Sequence, residues 1–161
     1  MSKIDVTEWK EFSISELFIT VPNRRLQVPT GASIAQKHLI DGDVPRITVT
    51  NINNCIYGHY KEIDSPNHRV FENFISVSFL GTVFYHPYKA TLDMKVHCLK
   101  LRHLELNKCI ALFLISVIKK HIEHFAYNDK ISSTVLPTLF LSLPSKNNTP
   151  DWEYMECYIE N

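Results

Sequence analysis

Near residue 107 the apolar residues of this chain change period, and that switch constrains its fold more than any other feature of the sequence. Upstream, Ile47 and Val49 alternate with polar neighbours, and Ile75, Val77 and Phe79 alternate with Ser76 and Ser78. Such alternation sorts side chains onto the two faces of a strand. Downstream, Ile110, Phe113, Leu114, Val117, Ile118, Ile122 and Phe125 recur every three or four residues, leaving Lys119, Lys120 and Glu123 for solvent. That spacing lays an apolar stripe along a helix, and Asn107 stands where its carboxamide can cap the first turn. The sequence therefore predicts an α+β fold, with a twisted β-rich N-terminal portion and a C-terminal helical pair.

The remaining elements follow from punctuation. Trp9, Phe12, Ile14, Leu17 and Phe18 cluster near the N-terminus, and Ser15 is placed to cap a short turn over Glu16 to Phe18. Residues 20–45 turn polar and irregular, with Pro22, Pro29, Gly31, Gly42 and Pro45 breaking any period. A long excursion of this kind in a compact domain usually carries function. Strands are expected over 46–50, 55–63, 74–80, 82–85 and 95–101, with Gly81 turning the chain into a hairpin. Leu139 to Leu143 predicts a short strand ended by Pro144, and Asp151 can cap a final helix from Trp152. Trp152, Met155 and Ile159 form a stripe that must bury on the domain or on a partner.

Composition bounds the function. With 161 residues, 45% apolar and only four glycines, the chain reads as one globular domain spanning 1–161 with no linker. Met1 to Lys10 lacks the basic-then-apolar order of a signal peptide. The apolar stretch Cys109 to Ile118, ten residues, is half a bilayer span, so no membrane association and a cytoplasmic location are expected. Cys55, Cys98, Cys109 and Cys157 form no CxxC pair, and His121 with His124 have no further ligands at metal spacing. No metal and no cofactor are expected, and the cysteines read as buried small hydrophobes. No G-x-S-x-G, phosphate loop or HExxH occurs, which leaves His86, His97 and Asp93 as the acid–base set an enzyme would have to use. The zero net charge is uneven: residues 1–150 carry 17 basic and 13 acidic side chains, while Asp151, Glu153, Glu156 and Glu160 close the chain. A mildly basic body can face a polyanion.

Four segments then carry a family resemblance in order and spacing. WKEFSISELF (Trp9–Phe18), GDVPRITVTNINNCIYGHY (Gly42–Tyr60), NFISVSFLGTVFYHP (Asn73–Pro87) and LFLSLPSKNNTPDWEYMECYI (Leu139–Ile159) resemble the target recognition domain of type I restriction–modification DNA specificity subunits and related beta-type subunits. Cys55 stands where the family usually has a glycine after NN, and Thr149 where it has one before PD. The resemblance implies a DNA methylase specificity domain-like fold and a non-catalytic role. It further implies that double-stranded DNA is bound for a methyltransferase subunit and possibly a restriction subunit, with residues 151–161 beginning a truncated spacer helix. Such subunits usually carry two recognition domains. The chain is thus expected to be a solitary module, an excised piece, or a half-subunit acting as a homodimer.

Base reading needs planar donors and acceptors, and phosphate contact needs cations. Arg24, Arg25, Lys37 and Arg46, followed by Asn51, Asn53 and Asn54, offer both kinds and are where base reading is expected, while Lys89 beside Tyr88 and Lys130 after Tyr127 and Asn128 are expected phosphate contacts. Each has a plainer reading. Asparagines shape turns, Arg24 and Arg25 can be solvated charges, and Arg46 can pair with Asp41 or Asp43. Pro45 and Thr48 define a strand more readily than they touch DNA. The competing function is a protein-interaction module that docks or inhibits a restriction–modification complex without reading DNA.

Overall fold

The computed structural model describes residues 9–21, 26–128 and 131–160, and side chains outside 124–128. In chain order the elements are β1 (Trp9–Ser13), α1 (Ile14–Leu17), β2 (Asp41–Ile47), β3 (Ile56–Tyr60), β4 (Val70–Ser78), β5 (Val83–Leu92), β6 (Val96–Leu99), α2 (Lys108–Asn128), β7 (Phe140–Lys146), β8 (Thr149–Pro150) and α3 (Trp152–Glu160). Five strands form one sheet in the order β3-β2-β5-β4-β6, and β1-β7-β8 form a second. The mixed, β-rich fold with C-terminal helices is the one the change of period predicts.

The five-stranded sheet lies between two apolar clusters. Ile75, Val77, Val83 and Leu99 join Phe12, Leu141, Leu143 and the buried face of α2 in the larger one. Ile47, Phe74, Ala90, Leu92, Val96 and Cys98 form the smaller one. A sheet covered on both faces buries continuous runs, which is why Phe74 to Ser78 are all buried although the sequence alternates. Within the run, Ser76 satisfies its hydroxyl on His86 (2.8 Å) and is only 1% exposed.

Helix α2 buries Ile110, Phe113, Leu114, Ile118 and Ile122. Fully burying each contributes about 1.5–3 kcal/mol. The expected cap is present, since the Ile110 amide donates to Asn107 Oδ1 (2.9 Å). The Tyr154 amide likewise donates to Asp151 Oδ1 (3.0 Å) at the start of α3. Met155 is fully buried, and Trp152 and Ile159 pack against the same core, so the terminal stripe is covered by the domain itself.

Several boundaries differ from expectation for identifiable reasons. The cap of α1 is Ser13, not Ser15, because Ser13 ends β1 in an extended conformation and exchanges reciprocal bonds with Glu16. β2 starts at Asp41 and stops at Ile47, so the last residues of the polar excursion are strand. Pro45 is tolerated there because β5 pairs only with Arg46 and Ile47, leaving the proline beside β3 alone. β5 runs well past Tyr85, and Gly81 makes the hairpin turn at φ 90°. β7 continues through Pro144, opposite Trp9, to Lys146. Cys55 and Cys98 are buried as small hydrophobes, but Cys157 is exposed.

Candidate nucleic-acid interface

The polar excursion is held against one face of the five-stranded sheet by a buried guanidinium. Ile47 and Leu92 belong to the smaller core, so their neighbours Arg46 and Thr91, paired in register, point to the opposite face. Arg46 is 3% exposed. Its Nη1 donates to Thr91 Oγ1 (3.3 Å), and its Nη2 donates to the Ala32 carbonyl (2.8 Å) and to Asp93 Oδ1 (3.3 Å). Asp93 also accepts from Thr48 Oγ1 (3.3 Å). Gly31 is required here, because a β-carbon would lie 2.1 Å from the Leu92 carbonyl oxygen.

Further bonds carry the excursion across the sheet, from β6, where Thr30 bridges His97, to β3 at the opposite edge. Arg69 Nη1 donates to the Thr30 carbonyl (2.9 Å), Tyr57 OH donates to Gln36 Oε1 (2.9 Å), and the Lys61 amide donates to the Ile40 carbonyl (2.7 Å). Ile34, Gln36, Leu39, Arg46, Thr48, Tyr57 and Asp93 line a polar cleft of about 260 Å³ between the two. Tyr57 is 53% exposed and stacks on Tyr60 with centroids 6.4 Å apart.

The β2–β3 loop is built differently. Asn53, Asn54 and Cys55 all take left-handed conformations, with φ of 50°, 54° and 64°. Asparagine adopts this region readily, but cysteine pays about 1 kcal/mol for it. The turn is fastened from beneath. Asn54 Nδ2 donates to the Tyr85 carbonyl (3.1 Å) and to Tyr88 OH (2.9 Å), and the Cys55 thiol donates to the Thr50 carbonyl (2.6 Å). Tyr88 OH lies 2.9 Å from His86 Nδ1, and His86 Nε2 lies 2.8 Å from Ser76 Oγ. One donor order satisfies the chain: Asn54 to Tyr88, Tyr88 to Nδ1, and Nε2–H to Ser76. It requires a neutral imidazole, and burial pushes His86 down from 6.5 to about 4.

Of the anticipated DNA contacts, Arg46 and Asn54 face inward. The guanidinium is spent on Ala32, Thr91 and Asp93 rather than on Asp41 or Asp43, and the Asn54 carboxamide is spent on β5. Both position the surface and neither presents a free donor fork. Asn51 and Asn53 are exposed at the loop, Lys37 is exposed in the 3-10 turn Gln36–His38, and Lys89 is exposed on β5 opposite Glu72. Alternation puts Lys89 on the same sheet face as Thr91 and Arg46. Arg24, Arg25 and Lys130 lie outside the described residues. Tyr57 and Arg69 were not among the expected contacts, and for Tyr57 the available signal was an aromatic beside Gly58 in a short strand.

The acid–base set does not assemble into one site. His86 is held by Ser76 and Tyr88, His97 Nε2 donates to the Ile131 carbonyl (3.0 Å), and Asp93 is taken by Arg46. Among the described residues no three His, Cys, Asp or Glu side chains gather as metal ligands, and no helix is long and apolar enough to cross a membrane.

The described residues form a β-rich α+β domain whose polar excursion is fastened to β2 and β3 by Arg46 and Tyr57. Residues 7–161 match the family described as the type I restriction modification DNA specificity domain, and the chain belongs to that family. It is 32% identical over 156 residues to the specificity subunit S.BcgI of a type II restriction enzyme from Heyndrickxia coagulans, covering 94% of this chain and 42% of that protein. The fold is shared with the HsdS subunit from Thermoanaerobacter tengcongensis (TM-score 0.66, 13% identity, 96% of this chain and 37% of that one). It is shared too with the type I restriction–modification S subunit from M. genitalium (TM-score 0.67, 17% identity, 99% and 39%). The chain spans less than half the length of each of these relatives.

Proposed function

We propose that this domain reads one half of a bipartite DNA target and does no bond-making itself. It holds a few base pairs in register in the cytoplasm while a partner methyltransferase subunit, and a restriction subunit where one is present, acts on the duplex. Residues 151–161 are then the first turns of a spacer helix, and a second recognition domain is supplied by more chain or by a homodimer partner. The observation that carries the reading is the match of residues 7–161 to the family described as the type I restriction modification DNA specificity domain. Asn51 and Asn53 are the base readers, and Lys37 and Lys89 make phosphate contacts, together with Arg24, Arg25 and Lys130.

Binding-site selection from random duplexes, followed by a salt series on the enriched sequence, tests this. Five cations each meeting one phosphate give a slope of log affinity against log salt of about −4.5. No enriched sequence and no salt dependence would overturn the reading in favour of a module that contacts only protein.

A further inference from the structure

Among the described residues the most exposed large apolar side chain is Ile52, 71% accessible, at the tip of the β2–β3 loop between Asn51 and Asn53. Nothing in the fold accounts for an isoleucine there. It belongs to neither apolar cluster, and a polar residue in its place would lose no packing. Its backbone is extended (φ −113°, ψ 157°), so the three left-handed residues begin immediately after it. Those residues are the ones fastened to β5 through the Asn54 carboxamide and closed by the Cys55 amide on the Ile52 carbonyl (3.0 Å). A strained turn, bolted down from below, thus fixes the direction in which a water-exposed hydrocarbon projects. A cysteine held at φ 64° in an ordered loop is strain that points to a function for that loop, and the side chain the loop holds out into water is Ile52.

The chemistry of its partner follows from the side chain itself. Ile52 is extended, so it projects away from Asn51 and Asn53, and Asn53 Nδ2 donates to the Ile56 carbonyl (3.5 Å), which leaves the hydrocarbon as the group this side of the loop offers. The only apolar group on the base edges of the major groove is the C5 methyl of thymine. Resting on the DNA-reading function proposed above, we infer that Ile52 is a specificity-determining residue that packs on a thymine methyl in the major groove.

Replacing thymine by deoxyuridine removes that methyl and leaves every hydrogen bond intact, so the contact can be deleted from either side. The selected duplex is scanned one thymine at a time with this chain and with Ile52→Ala and Ile52→Val. One thymine-to-uracil change should weaken binding by the worth of about one buried methyl, near fourfold. The same change should have no effect on Ile52→Ala and keep most of its effect on Ile52→Val. All three proteins should melt together, because the side chain is in water. Specific binding in which no thymine shows an Ile52-dependent loss overturns the inference while leaving the proposed function standing. Uniform weakening by Ile52→Ala at every sequence also overturns it, since that is the signature of a wedge between base steps. Failure to select any sequence overturns the proposed function and this inference with it.

Discussion

Arg46→Ala separates a residue that builds the interface from one that touches DNA. The guanidinium has 4% of its side chain accessible, while that of its partner Asp93 is 37% accessible. Breaking a fully buried ion pair costs about 3–5 kcal/mol, largely because the surviving charge is stranded. Here Asp93 can be rehydrated, so that part of the penalty falls away. What remains is the Ala32 carbonyl and the Thr91 hydroxyl left without their donor, together with the lost packing of the arginine stem. We expect a net loss of about 2–3 kcal/mol. For a domain of this size that lowers Tm by about 4–12 °C. The exposed control Asn51→Ala should stay within about 0.5 kcal/mol of wild type. Urea and thermal unfolding measure both variants, and affinity for a selected duplex is read alongside. An Arg46→Ala protein that melts with wild type yet binds the duplex tenfold more weakly would refute the assignment and put this side chain in the groove.

Two further perturbations probe the support beneath the loop. His86 is held down to about 4 from 6.5 by burial, so the unfolded chain binds the proton more readily. Stability from this group is therefore complete above pH 6.5 and declines as pH falls towards 4, by about 2 kcal/mol at pH 5. His97, also lowered by burial, acts in the same direction. Urea unfolding at pH 7 and pH 5 should show a smaller difference for His86→Gln than for wild type, and identical differences would contradict the argument. Asn54→Ala removes two side-chain hydrogen bonds and puts at φ 54° a residue that tolerates the left-handed region less well than asparagine, which should cost about 2–3 kcal/mol. Asn54→Gly loses the bonds but relaxes the backbone and should be milder by about 1 kcal/mol. The opposite order in chemical denaturation would mean the left-handed turn is not under strain.

The parts of the fold legible in the sequence are those in which one element buries one face. The period of α2 and the caps at Asn107 and Asp151 are local patterns, and they appear in the structure as read. The strand boundaries were less legible because two-sided burial erases alternation. In β6, Val96 to Leu99 are buried without a break, so no period marks which side is inner. For the candidate site, side-chain chemistry was visible but orientation was not. Arg46 alternates with Ile47 as an exposed residue would, and the carbonyl that covers it belongs to Ala32, fourteen positions upstream. A strand pattern shows that a residue faces away from one core. It cannot show that a distant loop has closed over the other side.

The β2–β3 and β7–β8 turns show how the chain meets the need for left-handed backbone with few glycines. In the resemblance to specificity subunits a glycine usually follows NN, and the structure supplies the reason, because position 55 sits at φ 64° where glycine rests without cost. Cys55 holds the same conformation by burying its side chain to 1% exposure and donating its thiol to the Thr50 carbonyl. At the other turn Thr149 stands where the resemblance has a glycine before PD, and the left-handed residues are Asn147 and Asn148, with φ of 56° and 64° between β7 and β8. Two successive left-handed asparagines are what a two-residue hairpin turn demands. At position 55 the freedom of a glycine is replaced by a buried, hydrogen-bonded side chain, whereas Thr149 needs no such compensation because it does not take a positive φ. The difference lies in what the side chains then do. At β7–β8 the turn closes a hairpin, whereas at β2–β3 the compensating bonds point inward, so that Asn51, Ile52 and Asn53 are left facing out.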